Sequence, residues 1–129
     1  MRKLLGSVLF GCFAITACSG EPPAPSPSAI SSANIGEYPA NYEQIVKAYF
    51  SQRLIDPASA MYGPMTSPLR RYLRPYFAGG SNAPPVIGYV VCGTLNSKNR
   101  MGGYAGTKHF AVAIVHGSVA YAELPTIQC

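Results

Sequence analysis

Two apolar runs near the C-terminus, 110–115 and 118–124, are separated only by His116 and Gly117. Both runs are rich in residues that are common in β-strands. Two intervening residues of which the second is glycine predict a tight β-hairpin. The C-terminal half is therefore predicted to form an antiparallel sheet, to which the apolar run 86–95 adds a further strand.

The hairpin also predicts which side chains share a face of the sheet. The predicted pairs are Ile114 with Val119, Val112 with Tyr121, and Phe110 with Glu123. Because side chains alternate along a strand, the large face carries Phe110, Val112, Ile114, Val119 and Tyr121. The alanine face carries Ala111, Ala113, Val115, Ala120 and Ala122. We expect the large face to receive a helix, and the alanine face either to lie under a second layer or to serve as a contact surface.

An amphipathic helix is predicted upstream of these strands. Apolar residues recur at spacings of three and four from Tyr42 to Leu54, which predicts a helix over residues 40–55. The helix is expected to stop there because the residue before Pro57 avoids helical geometry. Asp56 is then predicted to cap a short turn that has Pro57 at its first position.

Prolines limit what the middle of the chain can form. Pro64, Pro68 and Pro75 exclude a helix or a central strand between residues 61 and 77, and leave edge pairing around 69–73. A loop rich in glycine and proline follows. The predicted fold class is α+β, with one main helix packed on an antiparallel sheet of three or four strands.

The N-terminus has the pattern of an export signal. Arg2 and Lys3 precede an apolar stretch of about eleven residues, roughly half of what a membrane span needs. The next residues, Ile15-Thr16-Ala17-Cys18, resemble the lipobox of bacterial lipoproteins. The resemblance implies cleavage after Ala17, acylation of the Cys18 thiol and a third acyl chain on the new amino terminus, which together anchor a protein stably. The alternative is an ordinary signal peptide in which the cysteine occurs by chance.

This signal predicts three parts of the chain. Residues 1–17 form a lipoprotein signal peptide, 18–36 a lipid-anchored linker rich in Pro and Ser, and 37–129 a small α+β periplasmic domain. Because Pro-rich linkers are extended and semi-rigid, the linker is predicted to be a stalk that reaches roughly 55 Å. Ser19 resembles the residue that follows the lipidated cysteine in outer-membrane lipoproteins, which implies an anchor in the outer membrane that faces the periplasm.

Charge and length exclude several classes of function. The chain has a net charge of +5, and removal of residues 1–17 takes away Arg2 and Lys3 and no acid, which leaves +3. That balance, with only 12% charged residues, is not typical of nucleic-acid-binding proteins, so no nucleic acid is expected as a partner. A chain of 129 residues also leaves little room for a complete dinucleotide-binding domain, and no cofactor is expected.

Two cysteines remain after the predicted processing, Cys92 and Cys129, since Cys12 leaves with the signal and Cys18 carries the lipid. An even number of cysteines in an exported domain favours a disulfide. It would close about 37 residues and stabilise the fold by ~4 kcal/mol in the chain-entropy model. The alternatives are a buried free Cys92 and an intermolecular bond through Cys129.

Neither a catalytic nor a metal site is expected. A thiol nucleophile at Cys92 with His109 or His116 as its base would need a third group to orient the histidine. Cys92 lies in the middle of a predicted strand, whereas His116 lies in the predicted turn. Two histidines and two cysteines without a short ligand spacing do not make a metal site.

Residues 96–109 form the candidate binding loop. Fourteen residues join two predicted strands, and loops of that length in a compact domain are often functional. The candidate residues are Asn96, Lys98, Asn99, Arg100, Gly102, Gly103, Tyr104, Gly106 and Lys108. The cations and backbone amides would bind an anion. The alternative is an ordered connection in which Asn96 and Asn99 satisfy backbone groups and Tyr104 packs down.

Two motifs resemble a small domain of uncharacterised proteobacterial lipoproteins and exported proteins. They are Asp56-Pro57-x-Ser59-Ala60 and Cys92-Gly93-x-x-Asn96-x-Lys98-Asn99-x-x-Gly102-Gly103-Tyr104-x-Gly106. The resemblance implies a domain and no activity. We therefore expect an envelope-anchored lipoprotein that is a non-enzymatic interaction or structural module for an envelope protein or an anionic envelope ligand. The alternatives are an inhibitor or binder of an envelope hydrolase, and a lipoprotein subunit of a secretion or outer-membrane assembly machine.

Overall fold

The structure is a computed structural model that describes residues 20–75 and 83–129. The predicted signal peptide, Cys18 and the first part of the Gly/Pro-rich loop lie outside these residues. The helices are α1 (Pro27–Ser32), α2 (Tyr42–Ser51) and a 3₁₀ helix (Pro57–Ser59). The strands are β1 (Met61–Tyr62), β2 (Leu69–Leu73), β3 (Val86–Asn96), β4 (Lys108–Val115) and β5 (Ser118–Glu123). A mixed fold of helices and one antiparallel sheet is therefore confirmed.

The sheet is centred on β3. Strand β4 lies along one edge of β3, and β5 lies beyond β4. Both β1 and β2 lie on the other edge of β3, β1 at its C-terminal end and β2 at its N-terminal end. Edge pairing over residues 69–73 is thus confirmed. Between β1 and β2, Thr66 exchanges two hydrogen bonds with the backbone of Cys92, at 2.8 and 2.9 Å, which keeps the proline-containing segment beside β3.

The predicted hairpin is present. Ile114 pairs with Val119, and Val115 pairs with Ser118. The turn residues His116 and Gly117 both have positive φ, 49° and 74°. Positive φ at both central residues belongs to the type I′ turn, whose twist matches that of the flanking strands.

Beyond Ile114 the predicted register is wrong. A β-bulge shifts the register between Ala113 and Ile114, so Tyr121 pairs with Ala113 and Ala122 with Val112. A bulge sets two residues of one strand against one of the other, and a shift of one residue exchanges the two faces. Tyr121 therefore moves to the alanine face, and Ala122 moves to the large face.

Each face of the sheet has its own buried cluster. On the large face, Val46 and Phe50 of α2 pack with Val91, Leu95, Phe110, Val112 and Ile114. On the other face, Leu73 and Val90 pack with Ala111 and Ala113, and Tyr121 lies against them. Ala111 and Ala113 are fully buried. The alanine face is therefore covered at these two positions and does not present them as a contact surface.

Helix α2 is shorter than predicted and ends at Ser51. The backbone N–H groups of Arg53 and Leu54 share one acceptor, the carbonyl of Phe50, each at 2.9 Å, so the regular one-to-one pattern of the helix ends before the apolar periodicity does. The predicted side-chain cap by Asp56 is also wrong. Its backbone carbonyl instead accepts a hydrogen bond from the Ser59 hydroxyl at 2.8 Å.

Residues 27–32 were expected to be extended, and they form α1 instead. The helix begins after Ser26, whose side chain accepts the N–H of Ala29 at 3.1 Å, and Pro27 occupies its first turn. A serine cap followed by proline is a favourable helix start. Proline at this position therefore begins a short helix and does not extend the chain.

Candidate functional site: the β3–β4 loop

The β3–β4 loop (residues 97–107) is shorter than the predicted one because β3 continues to Asn96 and β4 begins at Lys108. Its tip is a turn organised by Asn99. The Oδ1 atom of Asn99 accepts the N–H groups of Met101 and Gly103, at 3.0 and 3.2 Å. Its backbone N–H donates to the carbonyl of Gly103 at 2.8 Å. One side chain thus satisfies donors that the turn itself leaves unpaired.

Asn96 has the same function at the base of the loop. Its Oδ1 atom accepts the N–H of Gly106 at 3.1 Å, where φ is 96°. The N–H of Ala105 donates to the carbonyl of Ser97 at 3.0 Å. The two sides of the loop are therefore joined by hydrogen bonds, and Lys98 and Tyr104 form an isolated antiparallel bridge between them.

Ser59 fastens this loop to the 3₁₀ helix. Its hydroxyl oxygen accepts the N–H of Lys98 at 2.8 Å and donates its proton to the carbonyl of Asp56 at 2.8 Å. These residues belong to the two motifs of the sequence, which the fold brings together. Ser59 was not among the predicted site residues. The co-occurrence of the two motifs was the signal that could have found it.

The side chains at the tip of the loop face solvent. Met101 is 95% exposed and Tyr104 48% exposed. Of the alternative interpretation of this loop, the hydrogen bonds of Asn96 and Asn99 to backbone groups are present, whereas Tyr104 is only half-buried. The ammonium of Lys98 lies 5.7 Å from the centroid of the Tyr104 ring, within the range of a cation–π contact. Arg100 and Lys108 are also exposed. The loop thus presents cations beside an aromatic and a thioether side chain.

The described ion pairs lie elsewhere in the molecule. Lys47 contacts Glu43 at 3.7 Å on α2, and Arg74 contacts Glu21 at 2.8 Å. Neither pair includes a cation of the β3–β4 loop. Burial raises the pKa of the Tyr62 phenol in β1, next to the base of the loop, and so further favours its neutral form.

Cys92 and Cys129 form a disulfide, with their Cα atoms 6.1 Å apart. The bond leaves Cys92 without the free thiol that a nucleophile requires, which removes support for catalysis with His109 or His116. His116 lies in the β4–β5 turn and His109 near the start of β4. Within residues 20–75 and 83–129, no three His, Cys, Asp or Glu side chains are grouped as metal ligands.

Comparison with known proteins finds no matching family model, and no curated protein or solved structure that matches significantly. In the part of the chain that the structure describes, no helix has the length and apolar character needed to cross a bilayer.

Proposed function

We propose that the protein is a lipid-anchored, non-enzymatic interaction module of the bacterial envelope, in which the β3–β4 loop binds an anionic partner. In this proposal residues 1–17 are removed, Cys18 carries the acyl chains, and α2 is the main helix on the sheet. The anchor is supported by the resemblance of residues 15–18 to a lipobox. The partner is an envelope protein or another anionic envelope ligand.

One observation supports the loop as the binding surface. Asn96, Asn99 and Ser59 each accept backbone N–H groups that order the loop, yet Arg100 and Met101 at its tip are exposed. A loop that is already ordered in the free protein loses less conformational entropy when it binds a partner. Exposed arginine and methionine side chains are both enriched at protein interfaces.

The test uses a photo-crosslinking amino acid at Met101 in isolated envelopes. The variant Arg100→Gln/Lys108→Gln removes one arginine and one lysine from the loop region. Because exposed ion pairs contribute little individually, we expect a roughly three- to tenfold lower adduct yield at low salt. High salt should lower the wild-type yield towards that of the variant.

The matched control is Arg53→Gln/Lys47→Gln, which makes the same change in charge on and just after α2. We expect it to retain the wild-type yield. Equal yields from the loop variant and the wild type at both salt concentrations contradict an anionic partner at this loop. Metabolic labelling with an alkyne fatty acid tests the anchor separately, and it should label the wild type but not Cys18→Ala.

A further inference from the structure

Residues 20–36, here called the N-terminal segment, lie on the folded domain. The guanidinium of Arg70 in β2 donates to the carbonyls of Ile30, Ser31 and Ala33, at 3.3, 3.1 and 2.6 Å. These carbonyls lie at the C-terminal end of α1, where helical carbonyls lack intrahelical partners and attract cations. No basic residue lies in the last turn of α1 itself, so β2 supplies the cation.

Two further contacts hold the ends of the N-terminal segment. At its start, Arg74 contacts the carboxylate of Glu21 and donates to the carbonyl of Pro22, both at 2.8 Å. At its end, the Ile35 side chain is only 3% exposed, and its carbonyl accepts the N–H of His116 at 2.8 Å. The segment is therefore held at three places and is not an extended stalk over these residues.

We propose that the docked N-terminal segment holds the domain against the bilayer in which Cys18 is anchored, with an arginine groove facing anionic phospholipid headgroups. This inference rests on the lipid anchor of the proposed function. Two residues lie between Cys18 and Glu21, so the chain between them spans at most ~10 Å. An undocked linker would allow roughly 55 Å.

The arginine groove lies where the segment docks. It has a volume of about 370 Å³ and is lined by Ile30, Arg70, Arg71, Tyr72, Arg74 and Gln128. Arginine binds phosphate oxygens through paired N–H donors. Arg71 is exposed, and basic side chains close to an anionic leaflet are attracted to it. Arg70 and Arg74 already bind the N-terminal segment, so Arg71 is the arginine of the groove that we assign to a headgroup phosphate.

The same orientation directs the β3–β4 loop away from the bilayer. Arg70 pairs with Tyr89 near the start of β3, whereas the loop follows Asn96 at its end. Asn96 lies seven positions further along β3 than Tyr89, which is roughly 23 Å. The membrane contact and the partner contact are thus at opposite ends of the sheet.

The first experiment measures docking without a membrane, by hydrogen exchange on the full chain in detergent. In Arg70→Gln, residues 27–35 and the His116 amide should exchange about tenfold faster than in the wild type, because a local contact has been released. Glu21→Gln should loosen only the start of the segment. Arg100→Gln, the matched loss of one arginine in the β3–β4 loop, should leave these rates unchanged. Equal rates in Arg70→Gln and the wild type overturn the docking.

The second experiment measures contact with the bilayer. The chain contains no tryptophan, so Tyr72→Trp reports on the groove and Met101→Trp reports on the loop tip. Both lipidated proteins are reconstituted in phosphatidylglycerol-containing liposomes whose headgroups carry a nitroxide quencher. We expect loss of emission from Tyr72→Trp and none from Met101→Trp.

The outcomes separate the two proposals. If the protein floats with the liposomes and Tyr72→Trp keeps its emission, the membrane contact is overturned. Protein that does not float with the liposomes contradicts the anchor, and the membrane contact with it, while the exchange experiment still decides whether the segment docks.

Discussion

Gly93 lies beneath the aromatic ring of Phe110. A Cβ atom at this position would be 2.6 Å from a ring carbon of Phe110 and 3.3 Å from the side chain of Met65. Phe110 is fully buried, and it also contacts Phe50 with ring centroids 5.2 Å apart. The ring of Phe110 cannot shift away from an added Cβ without disturbing the large-face core. Packing therefore requires that residue 93 has no side chain.

We therefore predict that Gly93→Ala lowers the free energy of unfolding by about 1–3 kcal/mol through overpacking. Denaturant-induced unfolding followed by circular dichroism measures the change. Gly103→Ala is the matched control, since a Cβ there would meet its nearest atom at 3.9 Å and should change stability little. A midpoint for Gly93→Ala equal to that of the wild type would show that Phe110 can shift.

At the scale of elements, the C-terminal segment (residues 124–129) is attached to β3, β4 and β5 and to the residue that follows β2. Thr126 donates its N–H to the carbonyl of His109 at 3.0 Å, and the side-chain amide of Gln128 bonds both backbone groups of Arg74, at 2.8 and 2.9 Å. Gln128 also donates to the carboxylate of Glu123 at 2.8 Å. The disulfide of Cys129 secures the last residue of this network.

We predict that Cys92→Ser/Cys129→Ser lowers the free energy of unfolding by up to ~4 kcal/mol, because the unfolded chain regains the entropy of a loop of about 37 residues. Thermal unfolding of the variant and of the reduced wild type should agree. A transition unchanged in both would mean that the hydrogen bonds of the C-terminal segment suffice without the disulfide.

Local chemistry determines which elements were predictable. The β4–β5 turn follows from His116 and Gly117 alone, and the proline spacing is enough to place β2 at an edge. The bulge was missed because Ala120 lies in an uninterrupted strand-forming run that contains no glycine. The docking of α1 was missed because Arg70 and Ile30 are forty residues apart, and a Pro-rich composition carries no information about such a contact.

On the scale of the whole molecule, the loop cations and the arginine groove lie at different places on a chain with a net charge of +5. Asn96 and Asn99 lie at the end of β3 and in the loop that follows it, whereas Ser59 lies in the 3₁₀ helix, so the order of the β3–β4 loop depends in part on a contact between two segments that are distant in sequence. The sequence identified the loop and its asparagines as candidates. The sequence did not show that the loop is both ordered and exposed, since its order depends on the contact with Ser59.

The most direct test of an ordered binding loop is the backbone ¹⁵N order parameter of residues 97–107 in the free protein. We predict values of about 0.85, as in rigid backbone, and a fall at residues 99–103 in Asn99→Ala. Asn41→Ala, whose side chain makes no capping hydrogen bond, should leave the loop unchanged. Wild-type values below about 0.6 would mean a flexible loop and would contradict a binding surface that is formed before its partner arrives.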